Sequence, residues 1–290
     1  MMGSKSMVVR LGLCVLALAV LASAPVSAAP VKSAKDAALV AAIARQTRPA
    51  DDVARDGARR PLESLSFWGL KPGQTILEIV PGGGYWTEIL APYAKATGGR
   101  YMVGLADISS PTVSEAARKG RADFLAKYAD AKLYGTVEPT NFGATSGPFA
   151  PAGTVDLFLT TRNIHNLIWT PGRLDKTLND AFAVLKPGGI LAIEEHRADP
   201  RPMVPEARDG YVSEAYVIEA AKKAGFVLDG RSDVNANPKD TKDHPFGVWT
   251  LPPTRRSAPA GQPANPSFDA RKYEAIGESD RMALRFRKPR

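Results

Sequence analysis

The chain reads as a doubly wound α/β domain built on a mostly parallel, seven-stranded sheet. Three observations predict it. Short apolar runs alternate with amphipathic stretches from about residue 75 to residue 235, the pattern of strands joined by crossover helices. The first apolar run, "TILEIV", ends in "PGGG" and opens into a second amphipathic segment. Near the C-terminus "RMALRFR" (281–287) alternates like a closing strand, after a long Pro-rich stretch.

The first thirty residues stand apart from this pattern. Lys5 and Arg10 form a basic start, "LGLCVLALAVLA" is apolar but short for a membrane span, and "VSAAP" supplies small residues for cleavage. Residues 1–28 are therefore expected to be a signal peptide cut after Ala28, with the mature protein periplasmic or secreted and not stably inserted in a membrane. Cys14, the only cysteine, falls in this segment, so disulfides, thiol nucleophiles and thiolate metal sites are not expected in the mature chain. The net charge is +8, dispersed except at the terminal "RFRKPR", with no basic stripe interleaved with aromatics. Nucleic acid is not an expected partner.

Residues 29–70 read as a helical N-terminal extension. "AKDAALVAAIARQ" (34–46) is an Ala-rich helix with Ser33 as N-cap, and Pro61 fits the first position of a later helix bearing Leu62, Leu65, Phe67 and Trp68. The charged run "DDVARDGARR" between them reads as a solvated helical face.

The main domain spans 71–290. After "TILEIV" and the glycines, Trp86, Ile89, Leu90 and Tyr93 share one helical face. "RYMVGLAD" is the second strand, 113–128 a helix, "GTVEP" a weaker strand and "VDLFLTTRN" (155–163) a clear one. Residues 173–185 form an amphipathic helix, which "KPGG" is expected to stop before the strand "ILAIEEH". A helix over 211–224 and the strand "FVLDGRSDV" follow. Residues 236–279 form a Pro-rich insert before the last strand, long enough to lie over the crevice as a lid carrying His244 and Trp249.

Glycines at a strand-to-helix turn let a ligand approach the backbone, and the helix behind presents free N–H groups to it. "PGGGYW" lacks the spacing of a nicotinamide dinucleotide site, and no Gly-x-Ser-x-Gly elbow occurs. The run "LEIVPGGG" resembles motif I of class I S-adenosylmethionine-dependent methyltransferases, an acid followed by alternating glycines. Glu78 takes the acid position, Gly82 and Gly84 the second and third glycine positions with Gly83 between them, and Val80 the first. Asp107, in "GLADIS", stands near the end of the second strand, the family's usual place for the ribose carboxylate. "VLKPGGILAIEE" and "AAKKAGFVL" are similar to the family's later elements. The tail and the "YW" look most like a signal-peptide-bearing bacterial group of predicted methyltransferases. The resemblance implies a Rossmann-like sheet of methyltransferase type, with S-adenosylmethionine as cofactor held by Glu78, Gly82, Gly83, Gly84 and Asp107, and methyl transfer to a small-molecule acceptor.

All three histidines fall at one end of such a sheet: His165 after the fourth strand, His196 after the fifth, His244 after the sixth. His165 and His196 are the expected catalytic pair, because strands four and five are neighbours and imidazole can take a proton from a methyl acceptor. Two alternatives stay open. One is an exported, non-catalytic small-ligand-binding module. The other is an exported metal-assisted enzyme using His165, His196 and His244 with Glu195 or Asp243.

Overall fold

Among the described residues, seven strands form one sheet in the order β3-β2-β1-β4-β5-β7-β6. The computed structural model describes residues 36–200 and 202–290, so the signal-peptide segment and Ser33 lie outside the described residues. The described residues begin with four short helices, α1 (Ala37–Ile43), α2 (Ala50–Val53), α3 (Asp56–Arg59) and α4 (Pro61–Phe67). Asp36 caps α1, its carboxylate accepting the N–H groups of Ala38 and Leu39, and its second oxygen accepts the Tyr93 hydroxyl. Asp36 thereby starts the helix at Ala37, three residues after the Ala-rich run begins.

The alternating core follows as β1 (Thr75–Ile79), α5 (Thr87–Thr97), β2 (Arg100–Ala106), α6 (Glu115–Lys127), α7 (Ala131–Tyr134), β3 (Val137–Phe142) and β4 (Val155–Thr161). Then come α8 (Ile164–Ile168), α9 (Arg173–Val184), β5 (Leu185–His196), α10 (Glu214–Lys223) and β6 (Val227–Ser232). The Pro-rich segment carries α11 (Arg271–Ile276), and β7 (Arg281–Arg287) closes the chain. Strands β1 to β5 pair in parallel, and β7 runs antiparallel between β5 and β6. Among the described residues no helix is long and apolar enough to cross a membrane.

Three local expectations need correction. "KPGG" is not a free turn: α9 stops at Val184, and Leu185 already pairs with Val155, the register shift before Leu157 accommodating Lys186–Gly189. The fourth strand ends at Thr161, because Arg162 turns into the left-handed region (φ 55°) and His165 lies in the first turn of a short helix instead of trailing the strand. The second strand ends at Ala106, one residue short of Asp107.

Both faces of the sheet are buried. The pleat sends Leu77 and Ile79 to the face covered by α9 and α10, with Phe158, Leu178, Val217 and Phe286. Ile76 goes to the other face, with Ile89, Tyr93, Tyr101 and Leu159, which α5 covers. The N-terminal helices extend this second cluster through Leu39, Leu65 and Trp68, and Trp68 meets Trp86 edge-on at 5.5 Å. Chain order runs outward from β1 to β3 and then jumps back to β4 beside β1. A crevice opens at that reversal, above the carboxyl ends of β1 and β4.

Candidate functional site

The turn after β1 forms one wall of the crevice. Val80 sits at φ 50°, a conformation costly for a β-branched residue, and it is fixed from two sides. Its N–H donates to the Gly104 carbonyl, and its carbonyl accepts the Asn163 side-chain amide. The backbone thus follows the course a glycine would take at this motif position, although the residue is valine. Gly82 (φ 58°) and Gly83 border the crevice, and a Cβ at either would meet nothing within 4 Å. That open cradle is what close approach of a ligand requires.

Gly84 has a different reason to be glycine. At φ 91° a Cβ there would stand 1.8 Å from the Tyr128 hydroxyl oxygen, inside the fold and away from the crevice. Gly84→Ala is expected to cost about 2–4 kcal/mol, combining left-handed strain with overlap on a buried ring. Gly83→Ala, at ordinary φ and open space, should stay within about 0.5 kcal/mol. Thermal melts of the two variants check the contrast; equal melting temperatures would refute it.

Glu78 does not point at the loop amides, as its motif position implies. The pleat places it on the α5 face with Ile76, where one oxygen accepts the Tyr101 and Thr87 hydroxyls and the other, buried, has no partner among the described residues. Burial pushes its carboxyl up to about 7, with the two hydroxyls pulling the other way. Because the folded-state value lies above the unfolded one, the protein holds this proton more tightly when folded. The associated stability is full below about pH 4.5 and is lost as pH rises through about 7. The difference amounts to about 3 kcal/mol. Glu78→Gln should flatten the stability profile over that window, as followed by denaturant melts from pH 4.5 to 8.

Asp107 is buried beyond the end of β2, where its Oδ1 accepts the backbone N–H and hydroxyl of Ser109, and the hydroxyl bond holds its carboxyl below the usual range. Its side chain packs on Gly143, at which a Cβ would come within 2.7 Å. Ala106, not Asp107, borders the more apolar hollow of about 380 Å³ between the glycine loop, Gly104, Phe142 and Arg173.

On the other side of the loop lies a second, more polar cavity of about 250 Å³, reaching His165, His196 and Trp249. The two imidazoles are 5.4 Å apart, centroid to centroid. His165, on α8, is 3% exposed and packs edge-on against Trp169 and Trp249. Glu195 joins the pair. Its Oε2 accepts the His165 N–H (3.2 Å), its Oε1 accepts the His196 N–H (2.8 Å), and Oε1 also meets His165 Nδ1 at 3.0 Å. A carboxylate already accepting two amide donors takes a third bond as acceptor, so Nδ1 carries the proton and Nε2 keeps its lone pair. His196 ends β5, and its Nδ1 is 2.6 Å from the Ser279 hydroxyl. Burial first, with the Arg281 guanidinium adding to it, presses its imidazole well below the ordinary value, so it stays neutral at pH 7. His165, Glu195 and His196 could also present ligand atoms to a metal, all within 4.8 Å of one another.

His244 takes no part. It is buried away from the cavity, its Nε2 2.8 Å from Asp240 and its ring against Tyr273. The segment bearing it does reach the cavity, through Val248, Trp249 and Pro252–Thr254. The run "DDVARDGARR" is not a solvated face either. Arg59 is fully buried on the Tyr85 ring at 4.2 Å, and Asp56 accepts the Tyr85 hydroxyl.

No family model matches the chain. It is 29% identical over 148 residues to the ubiquinone/menaquinone biosynthesis C-methyltransferase UbiE of Hydrogenovibrio crunogenus, covering 51% of this chain and 52% of that protein. Against the protein of the same description from Salmonella arizonae it is 27% identical over 165 residues, covering 57% of each. The chain spans about half the length of the curated relatives it matches. Among solved structures, a SAM dependent methyltransferase from Aquifex aeolicus is similar at 26% identity and a TM-score of 0.47, with 64% of this chain and 89% of that one covered. The sheet order and the sequence matches support the class I S-adenosylmethionine-dependent methyltransferase superfamily.

Proposed function

We propose that this protein transfers a methyl group from S-adenosylmethionine to a small-molecule acceptor. The observation that carries the reading is the glycine loop standing between two hollows, with the Glu195–His165 pair on the more polar side. When bound, the cofactor supplies a methyl carbon made electrophilic by its sulfonium. The cradle at Gly82 and Gly83 gives backbone approach, and the apolar hollow beside Phe142 suits a nucleoside. His165 Nε2 takes the proton from the acceptor atom as that atom becomes bonded to the methyl group. Glu195 fixes the tautomer and steadies the imidazolium that forms. Trp169 and Trp249 pack around the imidazole and shield it from water.

Titration calorimetry with S-adenosylhomocysteine tests the reading. Saturable binding by the folded mature protein supports it, and no binding sinks it. A second reading, a non-catalytic module for another small ligand, draws on Asp107 facing Ser109 instead of the hollow. Binding without any methyl transfer across a broad acceptor panel would favour that alternative. The proposal includes export through the N-terminal segment, and N-terminal sequencing should return Ala29 as the first residue. An intact Met1 in the cytosolic fraction would overturn the export.

A further inference from the structure

The polar cavity carries a guanidinium surplus. Arg59, at the end of α3, borders it with its side chain fully buried. Among the described residues neither Nη1 nor Nη2 of Arg59 has a hydrogen-bond partner, and its Nε reaches Glu278 at only 3.4 Å. Glu278 is already engaged: its Oε1 accepts Arg55 at 2.6 Å, and its Oε2 accepts Arg281 at 2.9 Å. Arg162, strained at φ 55° on the lining of the same cavity, adds a further cation, its buried Nε unpartnered among the described residues. Asp52 and Glu278 are the acidic side chains on the lining, against Arg55, Arg59 and Arg162.

A buried guanidinium with its whole outer edge unbonded is costly, because each lost hydrogen bond to water goes unreplaced. The Tyr85 ring beneath it offsets part of the charge and holds the plane, but a ring face cannot accept four N–H bonds. A planar oxyanion can accept two of them at once, one from each Nη. The parallel Nη donors match the two oxygens of a carboxylate, in a geometry a lysine cannot reproduce.

We propose that Arg59 is a carboxylate-binding group of the polar cavity, holding the acid end of a small ligand beside His165 and His196. The inference deepens the methyl-transfer reading and rests on it for one arm of its test. The carboxylate can come from the amino-acid end of the cofactor or from the acceptor, and the two sources predict different behaviour. In both cases the ligand is a small carboxylic acid, not a neutral apolar molecule.

The experiment uses the mature chain, Arg59→Met and Arg59→Lys, with thermal melts to establish folding and calorimetry to read affinity. Three probes are titrated: S-adenosylhomocysteine, 5′-methylthioadenosine, which keeps the nucleoside but has no carboxylate, and malonate. If the cofactor supplies the carboxylate, Arg59→Met weakens S-adenosylhomocysteine about ten- to hundred-fold and leaves methylthioadenosine unchanged. If the acceptor supplies it, wild type binds malonate, Arg59→Met loses that binding, and S-adenosylhomocysteine is unaffected. Should Arg59→Met fail to fold, Arg59→Lys decides, with the same pattern and a smaller loss. Malonate binding lost in the variants, without any nucleoside binding by wild type, would end the methyl-transfer reading and leave this inference standing. Variants that bind every probe as wild type does, or a wild type that binds neither carboxylate, would overturn it.

Discussion

Replacing His165 with alanine should lower methyl-transfer turnover by about 10²- to 10⁴-fold, the usual worth of a positioned general base. The affinity for S-adenosylhomocysteine should stay within about twofold of wild type, since the nucleoside is assigned to the loop and the apolar hollow and His165 Nε2 to the acceptor. Turnover is read as S-adenosylhomocysteine released with an acceptor that the wild type methylates. The effect follows from the hydrogen bonds around Glu195, which fix the Nδ1 proton and leave Nε2 as the base. Glu195→Gln is the discriminating partner variant. An amide can accept on one oxygen only, so its NH₂ must face a backbone N–H or turn the imidazole to the wrong tautomer. It should therefore lose turnover nearly as far as His165→Ala, and imidazole ¹⁵N spectra should show His165 shifting away from the Nδ1–H form. A tautomer unchanged by Glu195→Gln, or full turnover in His165→Ala, would return this histidine to a packing role.

The sequence carried the sheet further than it carried the site. Apolar strand runs at β1, β4 and β5 are legible because both faces are buried, and Leu77, Phe158 and Leu191 need no distant partner to be recognised as core. The juxtaposition of His165 and His196 follows from that topology alone. Side-chain direction is harder to read. In "EEH" the pleat must send Glu194 and Glu195 to opposite faces, yet nothing local says which one meets the crevice. The answer lies in Arg281 on β7, which pairs with Glu194 and leaves Glu195 for His165. Arg59 was hidden for the same reason. It sits in a run of mixed charge with no period, and its burial depends on Tyr85 and on Glu278, 219 residues away. His244 shows the converse error: being on the expected edge of the sheet did not bring it to the cavity, because Asp240 and Tyr273 hold it inside its own loop.

Arg281→Met should be the most destabilising of the single substitutions considered, by about 3–5 kcal/mol. In a domain of this size that lowers the melting temperature by on the order of 10 °C. Arg281 is 1% exposed, and its Nη1 lies 2.9 Å from both Glu194 Oε1 and Glu278 Oε2 while Nη2 donates to the Ala58 carbonyl. Glu194 is fully buried, and neither of its oxygens makes a well-angled hydrogen bond. The nearby positive charge is thus its main compensation. Burial already pushes the Glu194 carboxyl up, and Arg281 is the leading influence holding it down. Removing the arginine raises it further, so the folded protein must take up a proton that the unfolded chain releases at lower pH. The deficit is therefore smallest near pH 4.5 and grows as pH rises. Glu194→Gln added to Arg281→Met removes the stranded charge, and it should recover a large part of the loss at pH 8 and abolish its pH dependence. The consequence reaches the site, because Arg281 pairs in register with His196 and follows Ser279, whose hydroxyl meets the His196 ring. A melting temperature for Arg281→Met within about 2 °C of wild type at pH 8 would show the buried cluster to be energetically idle. Failure of Glu194→Gln to rescue it would show that the loss arises elsewhere, at Ala58 or Glu278.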